Sequence, residues 1–283
     1  MKKALIKDVD NFFDGRETYA RLKVPWKRGA IYYGPPGNGK TISIKAMMHT
    51  LYNRKPQVPT LYVKSLVSYA GPQYSVNQIF AQARKFAPCY LIFEDLDTMI
   101  TPAVRSYFFN EVDGLRNNDG IFMLGSTNHL DELDPGLAKR PSRFDRKWYF
   151  PNPNEAQREA YARFWQSKLK DNDDVEFPDE LCAAIAKITH GFSFAYMQEA
   201  FVASLLALAR VAIAGTDDEA MLWAGPANKS AGTALNDIVI ERMTIGARSS
   251  GGTADDLDKL PLWREIQKQV KTLREEMDED EQR

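Results

Sequence analysis

The chain is poor in the residues that build metal centres and disulfide frameworks. Its 283 residues include two cysteines, Cys89 and Cys182, and three histidines, His49, His129 and His190. Neither set has the spacing of a zinc site, and two isolated thiols make no disulfide scaffold, so both cysteines read as small buried apolar groups. An excess of one charge sign is missing as well. The 37 basic and 38 acidic residues leave a formal net charge of -1, which disfavours nucleic acid as a partner, because a phosphate backbone rewards a strongly basic surface. No membrane segment is expected: the most apolar late stretch, Phe201 to Ala214, is short and interrupted by Arg210. The start, Met1 to Asp8, lacks the apolar core of a secretory signal, so Asn228-Lys229-Ser230 is set aside as a glycosylation site. A cytoplasmic or other reducing compartment is the default, with a mitochondrial address open if a further amino-terminal region precedes this sequence. No repeat occurs at solenoid periods.

What is present is a phosphate-binding loop. Gly34 to Thr41 reads GPPGNGKT and fits G-x-x-x-x-G-K-[ST] at every required position. Ala30 to Tyr33 reads as a short buried strand before it and Thr41 to Leu51 as a helix after it, the setting such a loop needs. Gly34, Gly37 and Gly39 let the backbone curl until its amides face phosphates, with Pro35, Pro36, Asn38 and, in the first helical turn, Ile42 completing the cradle. Lys40 is placed to reach the β- and γ-phosphates, and the Thr41 hydroxyl to ligate Mg²⁺. The expected ligands are therefore a nucleoside triphosphate and Mg²⁺.

Two further apolar runs end in polar groups. Tyr90-Leu91-Ile92-Phe93 delivers Glu94-Asp95-Leu96-Asp97 to the carboxyl end of a buried parallel strand, where α/β sheets bind ligands. One acid can hold Mg²⁺ and its neighbour can polarise an attacking water; by position these are Glu94 and Asp95. Taken alone, the same acids would serve as caps of the next helix. Ile121 to Thr127 ends at Asn128, whose amide can donate to a γ-phosphate and accept from water, or simply form a loop. The arginines of Arg140-Pro141-Ser142-Arg143-Phe144-Asp145-Arg146 read by themselves as a solvated basic turn.

The punctuation divides the chain. With Leu61 to Val63 and Lys147 to Phe150 as further strands, the expected fold class is α/β: a nucleotide-binding core over 1–150, with a central parallel sheet flanked by helices. Pro151-Asn152-Pro153-Asn154 breaks it. Beyond lie expected helices at Glu155 to Lys170, Asp179 to Thr189 and Ser193 to Ala214, giving a small all-α domain over 151–246 with one more helix at Ala234 to Gly246. Over 247–283 the sequence predicts a linker and an amphipathic helix, Pro261 to Asp280, whose Trp263, Ile266, Val270, Leu273 and Met277 form a narrow seam. That seam suits docking on this chain or a neighbouring subunit, and alternatively a recruited partner.

Taken together, GPPGNGKT, LIFEDLD, GSTNHLDELDPGL and RPSRFDR resemble the ATPase module of the AAA family over most of residues 7–212. The resemblance implies that Asn128 is the first sensor, that Arg140 and Arg143 are arginine fingers reaching the neighbouring subunit's nucleotide, and that the active unit is a homo-oligomeric ring, a hexamer or heptamer. It implies that residues 151–246 act as a lid and that Ala195, at the start of a lid helix, lies near the nucleotide. Gly191-x-Ser193-x-Ala195 is read as a serine N-cap and not as a hydrolase elbow. Phe164 or Trp165 is a candidate for the base pocket. Ring motors of this family grip polypeptides with pore-loop aromatics, which makes Tyr69 the candidate, with Tyr74 able to serve as well. Pro25 to Gly29 and the order Glu94-Asp95 are most similar to the branch containing the mitochondrial Rieske-protein translocase. The implied partners are a protein substrate or adaptor. An ATP-binding switch that hardly hydrolyses and a nucleic-acid-directed motor are the alternatives.

Overall fold

The computed structural model describes residues 2–66, 69–113, 116–140, 142–172, 174–222 and 257–281. The expected helix Ala234 to Gly246 lies outside them. Two compact units divide the chain at Pro151/Asn152.

In the first unit, five strands form one parallel sheet in the order β2-β3-β4-β1-β5: β1 (Arg28–Tyr33), β2 (Thr60–Val63), β3 (Cys89–Phe93), β4 (Ile121–Thr127) and β5 (Arg146–Tyr149). β3 and β4 are buried at every residue, which is why they read as unbroken apolar runs. The two-residue period then sorts their side chains between two cores. Leu91, Phe93, Ile121 and Met123 meet Phe80 and Phe108, from helices α4 (Pro72–Lys85) and α6 (Pro102–Asp113). Tyr90, Ile92, Phe122 and Leu124 meet Ile44, Met47 and Leu51 of α3 (Lys40–Tyr52) on the other face. Cys89 is wholly buried, which pushes its thiol up to about 12.

The second face has a further cover absent from the expectations above. Helix α1 (Lys2–Asp14) buries Leu5, Val9 and Phe12, and α2 (Arg16–Leu22) follows it. Phe12 stacks on Trp26 at 5.6 Å, and Trp26 Nε1 donates to the Phe12 carbonyl at 2.9 Å. Since Phe12 also meets Phe122 edge to face at 5.3 Å, Phe12→Ala is expected to lower the free energy of unfolding by about 3–5 kcal/mol in chemical denaturation. A loss below about 1 kcal/mol would mean that α1 contributes nothing to this core.

The second unit is helical: α8 (Glu155–Lys168), α9 (Asp179–Ile188), α10 (Phe194–Leu222) and α11 (Pro261–Glu281). Asn154 and Gln157 close a capping box at the start of α8. The seam of α11 turns inward, with Trp263, Ile266, Val270 and Leu273 buried in one cluster with Phe201 and Leu181. Arg274 secures the helix by donating to the carbonyls of Ile188 and His190 at 2.6 and 3.0 Å. Docking on this chain itself therefore accounts for the seam. Helix α10 runs eight residues past Ala214, and its stretch Phe194–Val211 is long and apolar enough to cross a membrane by length and composition. The expected apolar stretch, Phe201 to Ala214, lies within this helix, which begins further back, at Phe194. Met197, Ala200, Phe201 and Ser204 of α10 are buried in the unit's own core.

Candidate active site

Parallel pairing sets the strand ends level. Tyr33 is in register with Thr127, and Phe93 with Gly125, so Gly34, Glu94 and Asn128 leave the sheet at the same edge. This is the carboxyl edge, where the chain must turn away and side chains converge.

At Gly34 the turn needs glycine twice over. Its φ is +130°, and a Cβ there would stand 2.5 Å from the Phe150 carbonyl oxygen. Gly39, at φ +89°, has open space where a Cβ would lie, so its requirement is conformational. Gly39 also caps α3 without a side-chain hydrogen bond, leaving the first amides of that helix to a ligand. Lys40 folds back over the loop and donates to the carbonyls of Gly34 at 2.6 Å and Pro35 at 3.0 Å. Burial pulls its ammonium below the usual lysine range, opposed by the charges of Asp95 and Asp97. Buried Asn38 donates to the Pro35 carbonyl at 3.4 Å. Pro36, Gly37, Thr41 and Ile42 are exposed.

The acids separate in space. Glu94 accepts from the Tyr62 hydroxyl of the adjacent β2 through Oε2, while its Oε1 is buried without a hydrogen-bond partner. That hydrogen bond raises the Tyr62 phenol to about 12. Asp95 stands at φ +51°, a left-handed conformation unusual for a residue with a side chain. It precedes the short helix α5 (Leu96–Met99), yet only its backbone takes part in the cap, accepting from the amides of Thr98 and Met99. The carboxylate is thus not consumed as a helix cap. Partial burial, Asp97 and Glu94 raise its pKa above the ordinary aspartate value, and Lys40 opposes them. Asp97 Oδ1 is likewise buried and unpartnered. Lys40, Asp95 and Asp97 interact electrostatically, and Glu94, which also acts on Asp95, accepts from Tyr62 of β2. Sequence reasoning did not single out Asp97 or Tyr62. For Asp97 the available signal was a third acid two residues beyond Asp95.

Asn128 is half-buried and lines a cavity of about 630 Å³ with Tyr33, Gly34, Pro35, Lys139 and Tyr149. The two finger candidates differ. The Arg140 side chain is 59% exposed, with Nε 3.5 Å from Asp113. Arg143 is 6% exposed and bonded on both edges, to Asp113 Oδ2 and to the Gly136 carbonyl, each at 2.7 Å. Tyr69 is fully exposed beside Gly71, and Tyr74 in the first turn of α4 is exposed as well. In the second unit Ala195 is exposed at the start of α10, and the Ser193 hydroxyl caps that helix by accepting from the Tyr196 amide at 3.3 Å. Trp165 is stacked on Phe201 at 5.2 Å, whereas Phe164 is exposed.

A glycine loop opening a helix, with a lysine inside it and carboxylates at a neighbouring strand end, suits a nucleoside triphosphate with its magnesium. The orphaned Glu94 oxygen fits a hydrated hard cation. The parallel sheet flanked by helices and carrying this loop is the core of a P-loop NTPase. Residues 30–152 match the family model described as ATPase family associated with various cellular activities (AAA). Residues 30–152 are thus similar to an AAA ATPase domain, a family whose members hydrolyse ATP and typically bind Mg²⁺.

Because the Tyr62 hydroxyl holds one oxygen of Glu94, Tyr62→Phe is expected to raise the Mg²⁺ concentration needed for tight ATP binding by about tenfold, the lower end of the effect of losing a ligand's supporting hydrogen bond. Fluorescent-nucleotide titrations at a series of Mg²⁺ concentrations measure it. An unchanged Mg²⁺ requirement would separate Tyr62 from the metal site.

Proposed function

We propose that this chain is a subunit of a homo-oligomeric ring, a hexamer or heptamer, that hydrolyses ATP at its subunit interfaces to remodel, unfold or translocate a protein. Lys40 would hold the terminal phosphates, and Thr41 and Glu94 would hold the metal. Mg²⁺, when bound, neutralises charge on the β- and γ-phosphates. Asp95 takes a proton from water as the water oxygen bonds to the γ-phosphorus and the bridging oxygen departs with ADP, and Asn128 orients that water. Arg140 completes the site of the next subunit. Residues 151–246 are the lid domain, and Tyr69 contacts the polypeptide.

The observation that carries this reading is the exposure of Arg140. An arginine placed on the loop that follows the sensor strand, and held among the described residues by a long contact to Asp113, is available to a second molecule. The near-neutral charge balance favours a protein over nucleic acid as the substrate or adaptor. Pro25 to Gly29 and the Glu94-Asp95 order support the branch containing the Rieske-protein translocase, and a reducing compartment, cytoplasmic or mitochondrial, suits the two free cysteines. Steady-state ATPase assays with an unfolded protein and with DNA test the substrate class. Stimulation by the unfolded protein is expected, and stimulation by DNA alone would overturn it. The left-handed Asp95 with its short side chain favours one second reading, a switch that binds ATP and scarcely turns it over. An assembled particle inactive at saturating Mg²⁺ and ATP would establish the switch.

A further inference from the structure

Two arginines three positions apart are treated oppositely by the fold. Arg143 lies with its guanidinium 3.6 Å over the Phe109 ring, its Nε on Asp113 Oδ2 at 2.7 Å and its Nη1 on the Gly136 carbonyl at 2.7 Å. Phe109 and Asp113 are one helical turn apart on α6, so a single helix face supplies a ring below the cation and a carboxylate at its edge. Gly136 lies in α7 (Pro135–Ala138), and a Cβ there would stand 2.8 Å from Arg143 Nη1. At the other end, a Cβ on Gly29 of β1 would stand 1.9 Å from the Arg143 carbonyl oxygen. Side chain and backbone are thus both held.

Asp113 is the hub. Its Oδ2 also lies 3.4 Å from the Ser142 hydroxyl and 3.5 Å from Arg140 Nε, and its Oδ1 lies 3.9 Å from Lys27 Nζ. The bond to Arg143 is short and charge-assisted, whereas the contact to Arg140 is long and solvent-exposed, which makes it weak and readily released. For Arg143 to reach a neighbouring phosphate it would have to give up both hydrogen bonds and its ring, and leave the Asp113 carboxylate without its best partner.

We propose that Arg143 and Asp113 are positioning residues, a largely buried clamp that fixes the loop so that Arg140, and not Arg143, is presented to the next subunit. The role of Arg140 rests on the ring reading, and the clamp does not. Melting of the purified chain therefore tests the clamp by itself. Arg143→Gln and Asp113→Asn should each lower the thermal midpoint by about 5 °C, and the double variant should fall short of the sum, because each single change already breaks the same bond. Arg140→Ala should move the midpoint by less than about 1 °C. Additive effects, or unchanged midpoints for both clamp variants, would overturn the clamp. Arg143→Lys, which keeps the charge but loses the planar fork, replaces Arg143→Gln should the latter fail to fold.

The readout that bare stability would not move is finger donation. Mixed particles take their pocket from Arg140→Ala subunits and their finger from subunits made pocket-dead by Asp95→Asn. A donor also carrying Arg143→Lys should still restore turnover, at about a tenth of the rate and with an unchanged KM for ATP. A donor also carrying Arg140→Ala should restore none. Restoration by the second donor and not by the first would make Arg143 the finger and overturn the proposal. Equal restoration by both donors contradicts the ring reading, while the melting result still judges the clamp.

Discussion

Arg140→Ala should reduce ATP turnover by about 10³-fold at saturating nucleotide, the lower end of what an arginine finger contributes to phosphoryl transfer. On the proposed ring reading, the change removes the charge that neutralises the developing negative charge between subunits, but touches none of the groups assigned to ATP binding within each chain. Nucleotide affinity should therefore stay within about twofold, so that the loss falls on kcat. The fold should tolerate the substitution, because the side chain is 59% exposed and its contact to Asp113 is 3.5 Å long. Mixing Arg140→Ala with Asp95→Asn subunits should recover part of the activity, since some interfaces then combine an intact pocket with an intact finger. Full activity of Arg140→Ala alone would remove the residue from catalysis.

Asp95→Asn should slow hydrolysis by at least about 10²-fold while leaving binding of ATP with Mg²⁺ in place, because an amide of the same shape cannot take the water's proton. Asparagine tolerates the left-handed conformation that Asp95 adopts at φ +51°, so the backbone of the site should survive. The pH profile carries an independent check. A protonated Asp95 is no base, so the rate falls as pH drops through its pKa, and that pKa is raised by partial burial, Asp97 and Glu94 against the pull of Lys40. The acid limb should thus lie above the ordinary aspartate range. Asp97→Asn, which removes a repelling charge, should move it to lower pH. Glu94→Gln should instead raise the Mg²⁺ requirement. If Glu94→Gln abolishes turnover at saturating Mg²⁺ while Asp95→Asn remains active, the two acids exchange roles.

The legible parts of this molecule are those whose cause is local. β3 and β4 are recognisable because burial on both faces demands unbroken apolar runs, and the phosphate loop because glycine is needed at fixed places around Lys40. Helix α1 escaped notice because Leu5, Val9 and Phe12 are separated by charged residues and acquire meaning only against Trp26 and Phe122. The extension of α10 to Leu222 crosses Gly215-Thr216-Asp217-Asp218, a run that reads as a helix stop. At the site, the Tyr62–Glu94 hydrogen bond depends on β2 lying beside β3, an adjacency that no spacing announces. The burial of Arg143 is hidden for a related reason. An arginine in a polar loop reads as solvated until Phe109, Asp113 and Gly136 are brought around it.

Specific ATPase activity measured across a dilution series, with particle mass followed in the same samples, tests the shared site most directly. If Arg140 completes the pocket of a neighbour, a separated chain lacks part of its catalytic machinery, and activity per subunit should collapse over the concentrations at which the particle dissociates. Activity per subunit that stays flat into a demonstrably monomeric range would contradict it.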